Sequence, residues 1–330
     1  MPAQDLYPLK FEPIYKNYIW GGRNLEKIGK NIAPEKIVAE SWEISDHDED
    51  ISVAANGPLR GQTLRELIET YNTDICPETE NGRFPILIKY IDANRKLSVQ
   101  VHPDDEYART HESPTELGKN ECWYVMNAPP DAELILGVKK GMTREKFRAL
   151  IESGRIEEGL TRHPVSKGDF IFIRSGTVHA LLEGIMVCEI QENSDTTYRL
   201  YDWGRMGADG KPRPLHIQKA LDVINYFPES EYNAYMKQLA IPYDRSEKNA
   251  VHTFVRSEFF NIDLLKYTCD FDTEFQNEHF HTLNIVDGTG SILWKDGEFV
   301  FSTGETLLVP RTVHKYTIHT DESEILRTLL

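Results

Sequence analysis

Cysteine is scarce, positive charge is in deficit, and no apolar run is long. The 330 residues include four cysteines, Cys76, Cys122, Cys188 and Cys269, with no C-x-x-C spacing. A disulfide framework is therefore not expected. Cys122 and Cys188 sit in apolar runs and read as small buried hydrophobes. Lys and Arg number 37 against 53 Asp and Glu, for a net charge of −16. That balance argues against a general binder of nucleic acid or anionic membrane, because either needs a broad basic surface. It leaves room for an anionic small molecule held by a few local cations. No stretch is apolar enough to span a bilayer. The opening MPAQDLYPLKFEP carries no apolar leader core, so the expected location is cytoplasmic.

What is present reads mainly as short strands. Examples are ESWEIS at 40–45, PILIKYI at 85–91, ECWYVMN at 121–127, GDFIFIRSG at 168–176 and IMVCEIQE at 185–192. Gly, Pro and Asp turns separate them, which suggests antiparallel sandwiches or barrels. Three helices interrupt the pattern. In TLRELIETY, Thr63 and Glu66 have capping-box spacing. In GMTREKFRALIESG, Thr143 is a candidate N-cap and Gly154 a breaker. HIQKALDVINYF predicts a third helix near 216–227.

An internal echo indicates two similar units. KGDFIFIRSGTVHAL from Lys167 and TGETLLVPRTVHKY from Thr303 both run Gly, acid, four mainly apolar residues, a turn, then Thr-Val-His. Gln100-Val101-His102 is likewise echoed by His279-Phe280-His281. One β-barrel unit used twice fits this repetition. The polar, proline-bearing stretch 228–250 is the expected junction, giving units 1–227 and 228–330.

The chemistry concentrates in the first unit. In LSVQVHPDD, at 97–105, Ser98, Gln100 and His102 share one strand face. Lys119, Glu121 and Trp123 share a face of KNECWYV, and Thr177 and His179 share one of GTVHAL. Two imidazoles, a carboxylate and an amide oxygen make a suitable shell for a divalent metal with open positions. Taken singly, each residue also has a plain structural reading. The acidic turn after His102 reads as surface, as do His111 and His163, and Trp20 reads as structural. Two His and one carboxylate also suit a non-haem iron oxygenase, so pattern alone leaves the metal chemistry open.

YKNYIWGG at 15–22, ESWEIS, LSVQVHPDD, GKNECWYV at 118–125, GTVHAL at 176–181 and SDTTYRLYDWGR at 194–205 occur in one order. Together they resemble the type I, zinc-dependent mannose-6-phosphate isomerase family in its short bacterial form. The resemblance spans most of residues 7–226 and is loose in the last third. It implies a mainly β, double-cupin fold of two jelly-roll barrels with a few inserted helices. It also implies one zinc per chain, held by His102, Glu121 and His179 with Gln100 as a weaker fourth ligand. Arg199 and Lys119 are the implied catalytic residues. Ser98 and Lys89 are implied at the phosphate end of a phosphosugar substrate. Beside those roles, Arg199 could pair with Asp195 or Asp202, and Lys89 could be a solvated strand residue.

The implied reaction interconverts mannose 6-phosphate and fructose 6-phosphate through an enediol. It needs a Lewis acid at the C1 and C2 oxygens and a base beside those carbons. Lys119 and a metal-bound water are both open as the base. In the second unit, Thr282 stands where Glu121 stands in the first. His279, His281 and His314 are therefore expected to be structural, with Asn277 and Glu278 in a loop. A non-catalytic sugar-binding cupin fits that unit better than the first. Oligomeric state is left open.

Overall fold

The computed structural model describes residues 6–77, 79, 82–207, 210–274 and 279–330; Asn277 and Glu278 fall outside them. Antiparallel strands dominate, as the short alternating runs predict. A seven-stranded sheet forms the middle layer. Its order is 240–241, 170–173, 121–127, 185–192, 86–93, 40–44 and 14–16. Every residue of Ile86–Ala93 and Ile185–Glu192 is buried, so these strands are covered on both faces.

The two-residue period of a strand assigns the faces. Trp123 and Val125 point to one side and pack with Val99, Val101, Leu134 and Leu136 of a five-stranded sheet. Cys122, Tyr124 and Met126 point to the other side and pack with Phe254, Ile262, Leu264 and Leu326 of an eight-stranded C-terminal sheet. A one-residue slip of Glu121–Asn127 would exchange the two sets, so burial on both faces fixes the register. A third core, with Leu265, Leu283, Ile285, Tyr316 and Ile318, lies within the C-terminal half. Leu9–Lys10 pairs with Leu307 and Leu308, so the first residues supply an edge of the C-terminal sheet.

The internal echo is visible in local geometry. Gly168 and Gly304 both hold positive φ, +88° and +87°, a region open to glycine at little cost. The acids that follow close the same turn. Asp169 accepts from the Ser166 amide at 2.7 Å, and Glu305 from the Ser302 amide at 2.8 Å.

Thr63 and Thr143 cap the helices Leu64–Tyr71 and Arg144–Glu152, and the capping box between Thr63 and Glu66 is complete. The third helix is shorter than expected, Ile217–Val223. The polar stretch after Pro228 contains a further helix, Glu229–Leu239, rather than only a linker. Its Tyr235 and Leu239, one turn apart, bury against the core of the first half and Met236 packs beside them, while most of its other residues are exposed and make the segment read as polar. None of the helices is long and apolar enough to cross a membrane, among the described residues.

The acidic turn of LSVQVHPDD lies at the surface, with Asp104 exposed, but it is not a plain turn. Asp104 is the N-cap of a helix, Asp105–His111, and accepts from the Tyr107 amide at 2.8 Å. Asp105 reaches out of that helix and accepts from the Gly118 amide at 2.7 Å. The turn therefore braces the segment leading to Lys119 and Glu121. Gly118 is required for this approach: a Cβ there would lie 2.6 Å from the Asp104 carbonyl carbon. Asp104→Ala is expected to lower stability by about 1 kcal/mol, the usual cost of a lost N-cap. Urea unfolding checks this as a shifted midpoint with unchanged slope.

Candidate metal centre and sugar pocket

Two sheets meet at the site. His102 follows the strand Val99–Val101 of the five-stranded sheet, and His179 begins the strand His179–Ala180 beside it. His179 is directly opposite Gln100 in the ladder. Glu121 begins the middle-sheet strand Glu121–Asn127. Backbone bonds tie the three approaches together. The Gly176 amide donates to the His102 carbonyl at 2.8 Å, and the Lys119 amide to that of Pro103 at 3.1 Å.

His102, Glu121 and His179 are all buried, and one ligand atom from each lies within 4.8 Å of the others. His102 Nδ1 is 2.8 Å from the Thr196 carbonyl, and His179 Nδ1 is 2.9 Å from that of Thr177. A carbonyl can only accept, so each Nδ1 carries a proton and donates it. In the neutral rings, both Nε2 lone pairs then face Glu121, at 3.4 and 3.1 Å from its oxygens. Backbone carbonyls that orient imidazoles in this way are typical outer partners of metal ligands. Burial, and then the charge of Lys119, pushes the His102 imidazolium down to about 3, so this ring is neutral and able to ligate. Burial opposes ionisation of Glu121, but the charge of Lys119 outweighs it and holds the carboxyl well below the usual carboxylate range.

This donor set fits a divalent cation. Three acceptors converge in a buried space, and Glu121 Oε1 has no hydrogen-bond donor. Two imidazole nitrogens and one carboxylate suit a first-row metal such as zinc. The Gln100 amide nitrogen is 3.3 Å from His179 Nε2. Rotating that amide by half a turn brings its oxygen to the same side.

A cavity of about 210 Å³ opens beside the three candidate ligands. Gln100, Lys119, Ser98, Arg199 and Lys89 all line it, so the residues expected around the metal and along the substrate share one cavity. Lys89 is not solvated. It is buried between Glu189, at 3.2 Å, and Glu40, at 3.6 Å. Arg199 pairs with neither Asp195 nor Asp202; it donates to Ser98 Oγ at 3.3 Å and to the Pro214 carbonyl at 3.0 Å. Lys119 Nζ lies 2.5 Å from Glu121 Oε2 and 3.3 Å from His102 Nε2. Trp20 is buried and forms part of the cavity wall.

The wall residues that sequence reading missed include Glu40, Trp42, Glu189 and Arg213. The first three carried a signal. Glu40 and Trp42 belong to ESWEIS, and Glu189 interrupts the apolar run MVCEI. The indoles of Trp42 and Trp123 donate to Glu40 and Glu189 at 2.7 and 2.6 Å. Asp195, also on the wall, is held by His47 at 3.3 Å. Contact with Asp195 raises the His47 imidazolium despite burial.

The C-terminal half is arranged differently. His281 is buried with Nδ1 3.1 Å from the Tyr316 hydroxyl, His314 is exposed, and Thr282 is buried.

Residues 8–134 match the family model for the catalytic domain of type I phosphomannose isomerase. The mannose-6-phosphate isomerase ManA of Bacillus subtilis is 38% identical over 303 residues, covering 92% of this chain and 93% of that protein. The mannose-6-phosphate isomerase of Streptococcus mutans is 34% identical, covering 95% and 96%. The crystal structure of the Bacillus subtilis mannose 6-phosphate isomerase superposes with a TM-score of 0.84 at 32% identity, covering 98% of this chain and all of that one. With identity at this level sustained along nearly the whole length, the chain belongs to the type I phosphomannose isomerase family.

Proposed function

We propose that the protein is a zinc-dependent aldose–ketose isomerase that interconverts mannose 6-phosphate and fructose 6-phosphate through an enediol. The observation that carries this reading is the buried His102–Glu121–His179 set opening onto a polar cavity that Lys119 and Arg199 share. His102, Glu121 and His179 would hold the zinc, with Gln100 as a fourth ligand. When bound, the metal would supply Lewis-acid polarisation of the oxygens on C1 and C2.

The chain's own residues would do the rest. Lys119 presents an ammonium beside the ligand carboxylate, where it can stabilise developing negative charge and exchange a proton at Nζ. Arg199 offers a planar fork fixed by Ser98 and Pro214. Lys89, set between two carboxylates, faces the sugar, and Trp20, Trp42 and Trp123 help to exclude water from it. In the same proposal, residues 1–227 form the catalytic cupin and 228–330 a second, metal-free one. Thr282, standing where Glu121 stands in the first unit, and the exposure of His314 support this division.

A coupled assay for fructose 6-phosphate formed from mannose 6-phosphate tests the reading. Turnover in the metal-replete protein, lost after prolonged chelation and restored by stoichiometric zinc, is the expected result. No turnover in the replete protein sinks it.

A further inference from the structure

A second cavity, of about 310 Å³, lies outside the metal centre. Its polar lining includes His47, Asp48, Arg83, Thr115, Glu116 and Asn193, none of which lines the sugar cavity. Two of these side chains carry buried polar atoms that the protein leaves unsatisfied. His47 Nε2 lies 3.3 Å from Asp195 and 3.6 Å from Asp48, but its buried Nδ1 has no hydrogen-bond partner. Asn193 donates from Nδ2 to the Asp46 and Phe84 carbonyls, at 3.0 and 2.9 Å, while its buried Oδ1 has no donor. Glu116 adds a further acceptor. It takes the Ser194 and Thr196 hydroxyls on one oxygen, Oε1, at 3.1 and 2.9 Å. No hydrogen bond among the described residues engages its Oε2.

Buried polar atoms are nearly always paired, and leaving one unpaired costs free energy that an occupant's hydrogen bonds would restore. Two such residues on one wall therefore point to an occupant. The space is about ten times what one water takes in the liquid and reaches the lower end of small-molecule sites. Charge selects the class of occupant. Asp48 and Glu116 oppose an anion, and Arg83, 3.5 Å from Asp48, opposes a further cation. Among the described residues, the His/Asp/Glu group compact enough for a metal is His102, Glu121 and His179, not this one. Donors and acceptors are mixed. Arg83 only donates, the carboxylates and Asn193 Oδ1 only accept, and the Thr115 hydroxyl does both. A ligand hydroxyl also does both, so it can meet this set without leaving a charge unpaired.

We infer that this cavity is a second ligand site, for a neutral polyhydroxylated molecule of about hexose size, held by His47, Thr115, Glu116 and Asn193. The site is one chain segment away from the sugar cavity. Asn193 lines the one, and Asp195 and Thr197 line the other. His47 also meets Trp42 of the sugar cavity edge-on, with 6.3 Å between ring centroids. Recognition here needs neither metal nor phosphate, so it stands apart from the isomerase chemistry.

Mannitol, a neutral polyol with no phosphate and no carbonyl, is the probe. It is titrated into the full-length protein carrying isotope-labelled histidine, and the His47 imidazole resonance is followed by NMR, assigned by its loss in His47→Gln. A saturable shift is expected in wild type. Thr115→Phe places a ring in the cavity and is expected to abolish that shift while turnover of mannose 6-phosphate is kept. If Thr115→Phe does not fold, Ser113→Phe, on the same wall, makes the same comparison. A His47 resonance indifferent to mannitol, as for a cavity that holds only water, overturns the inference. An equal saturable shift in the blocked variant overturns it as well, because the polyol would then be bound elsewhere.

Discussion

Glu121→Gln is expected to reduce turnover of mannose 6-phosphate by about 10³-fold or more, the scale seen when a principal electrostatic group is removed from a site. Bound metal should fall to a small fraction of one ion per chain. The substitution is nearly isosteric, so packing against Trp123 and the neighbouring strands survives. What changes is charge and the direction of donation. Both imidazoles donate from Nδ1 to backbone carbonyls, so in their neutral forms they offer only lone pairs to the centre. The carboxylate is the set's one negative ligand, and a glutamine would also turn an N–H₂ toward Nε2 or Lys119. Lys119 would lose its 2.5 Å partner at the same time. Metal analysis of the purified variant, together with the coupled assay, checks both halves. Retention of stoichiometric metal with turnover within tenfold of wild type is the result that rejects Glu121 as a ligand.

His102, Glu121 and His179 were legible as candidate ligands because strand alternation is a local rule, and the family resemblance then named them as a set. Alternation along LSVQVH puts Gln100 and His102 on one face, and the same rule serves Glu121 and Trp123. The structure then brings these faces together between two sheets. The acidic turn was harder. Asp104 has the ordinary look of a surface residue, and its value as a cap depends on a short helix whose Tyr107 packs against Tyr198, distant in sequence. The balance of charge in the pocket was harder still. Lys89 and Glu189 are a hundred positions apart and meet only because their strands are direct partners in the middle sheet. Arg213 lies in a loop with no periodicity at all, and only the fold shows that it lines the same cavity as Arg199 and Ser98. The helix at Glu229–Leu239 was hidden for a related reason. Two fully buried side chains one turn apart, with Met236 beside them, are too few to dominate a segment whose remaining residues are mostly polar.

Lys89→Met is expected to destabilise the protein by about 3–5 kcal/mol, the cost of breaking a buried ionic group by removing one partner. Lys89 is 5% exposed, Glu40 8% and Glu189 3%, so neither carboxylate can turn to solvent for compensation. Each would keep the hydrogen bond from its tryptophan indole, but an indole brings no charge. Lys119 Nζ is 3.9 Å from Glu189 and already committed to Glu121. Methionine fills similar volume over the Trp42 ring, where the ammonium now sits 5.1 Å from the centroid, so the loss reports charge rather than a cavity. The sign with pH is defined. Burial alone would lower the pKa of Lys89, but the charges of Glu40 and Glu189 outweigh it and raise it above its ordinary 10.5. A group whose pKa rises on folding contributes its full stabilisation below the unfolded value and loses it only as pH climbs through the folded one. The wild-type advantage from Lys89 should therefore be constant across neutral and mildly alkaline pH. Urea unfolding of both proteins at several pH values in that range checks it. A loss under 1 kcal/mol, or a loss that fades well below pH 10.5, would mean that the two glutamates do not depend on Lys89 for their charge balance.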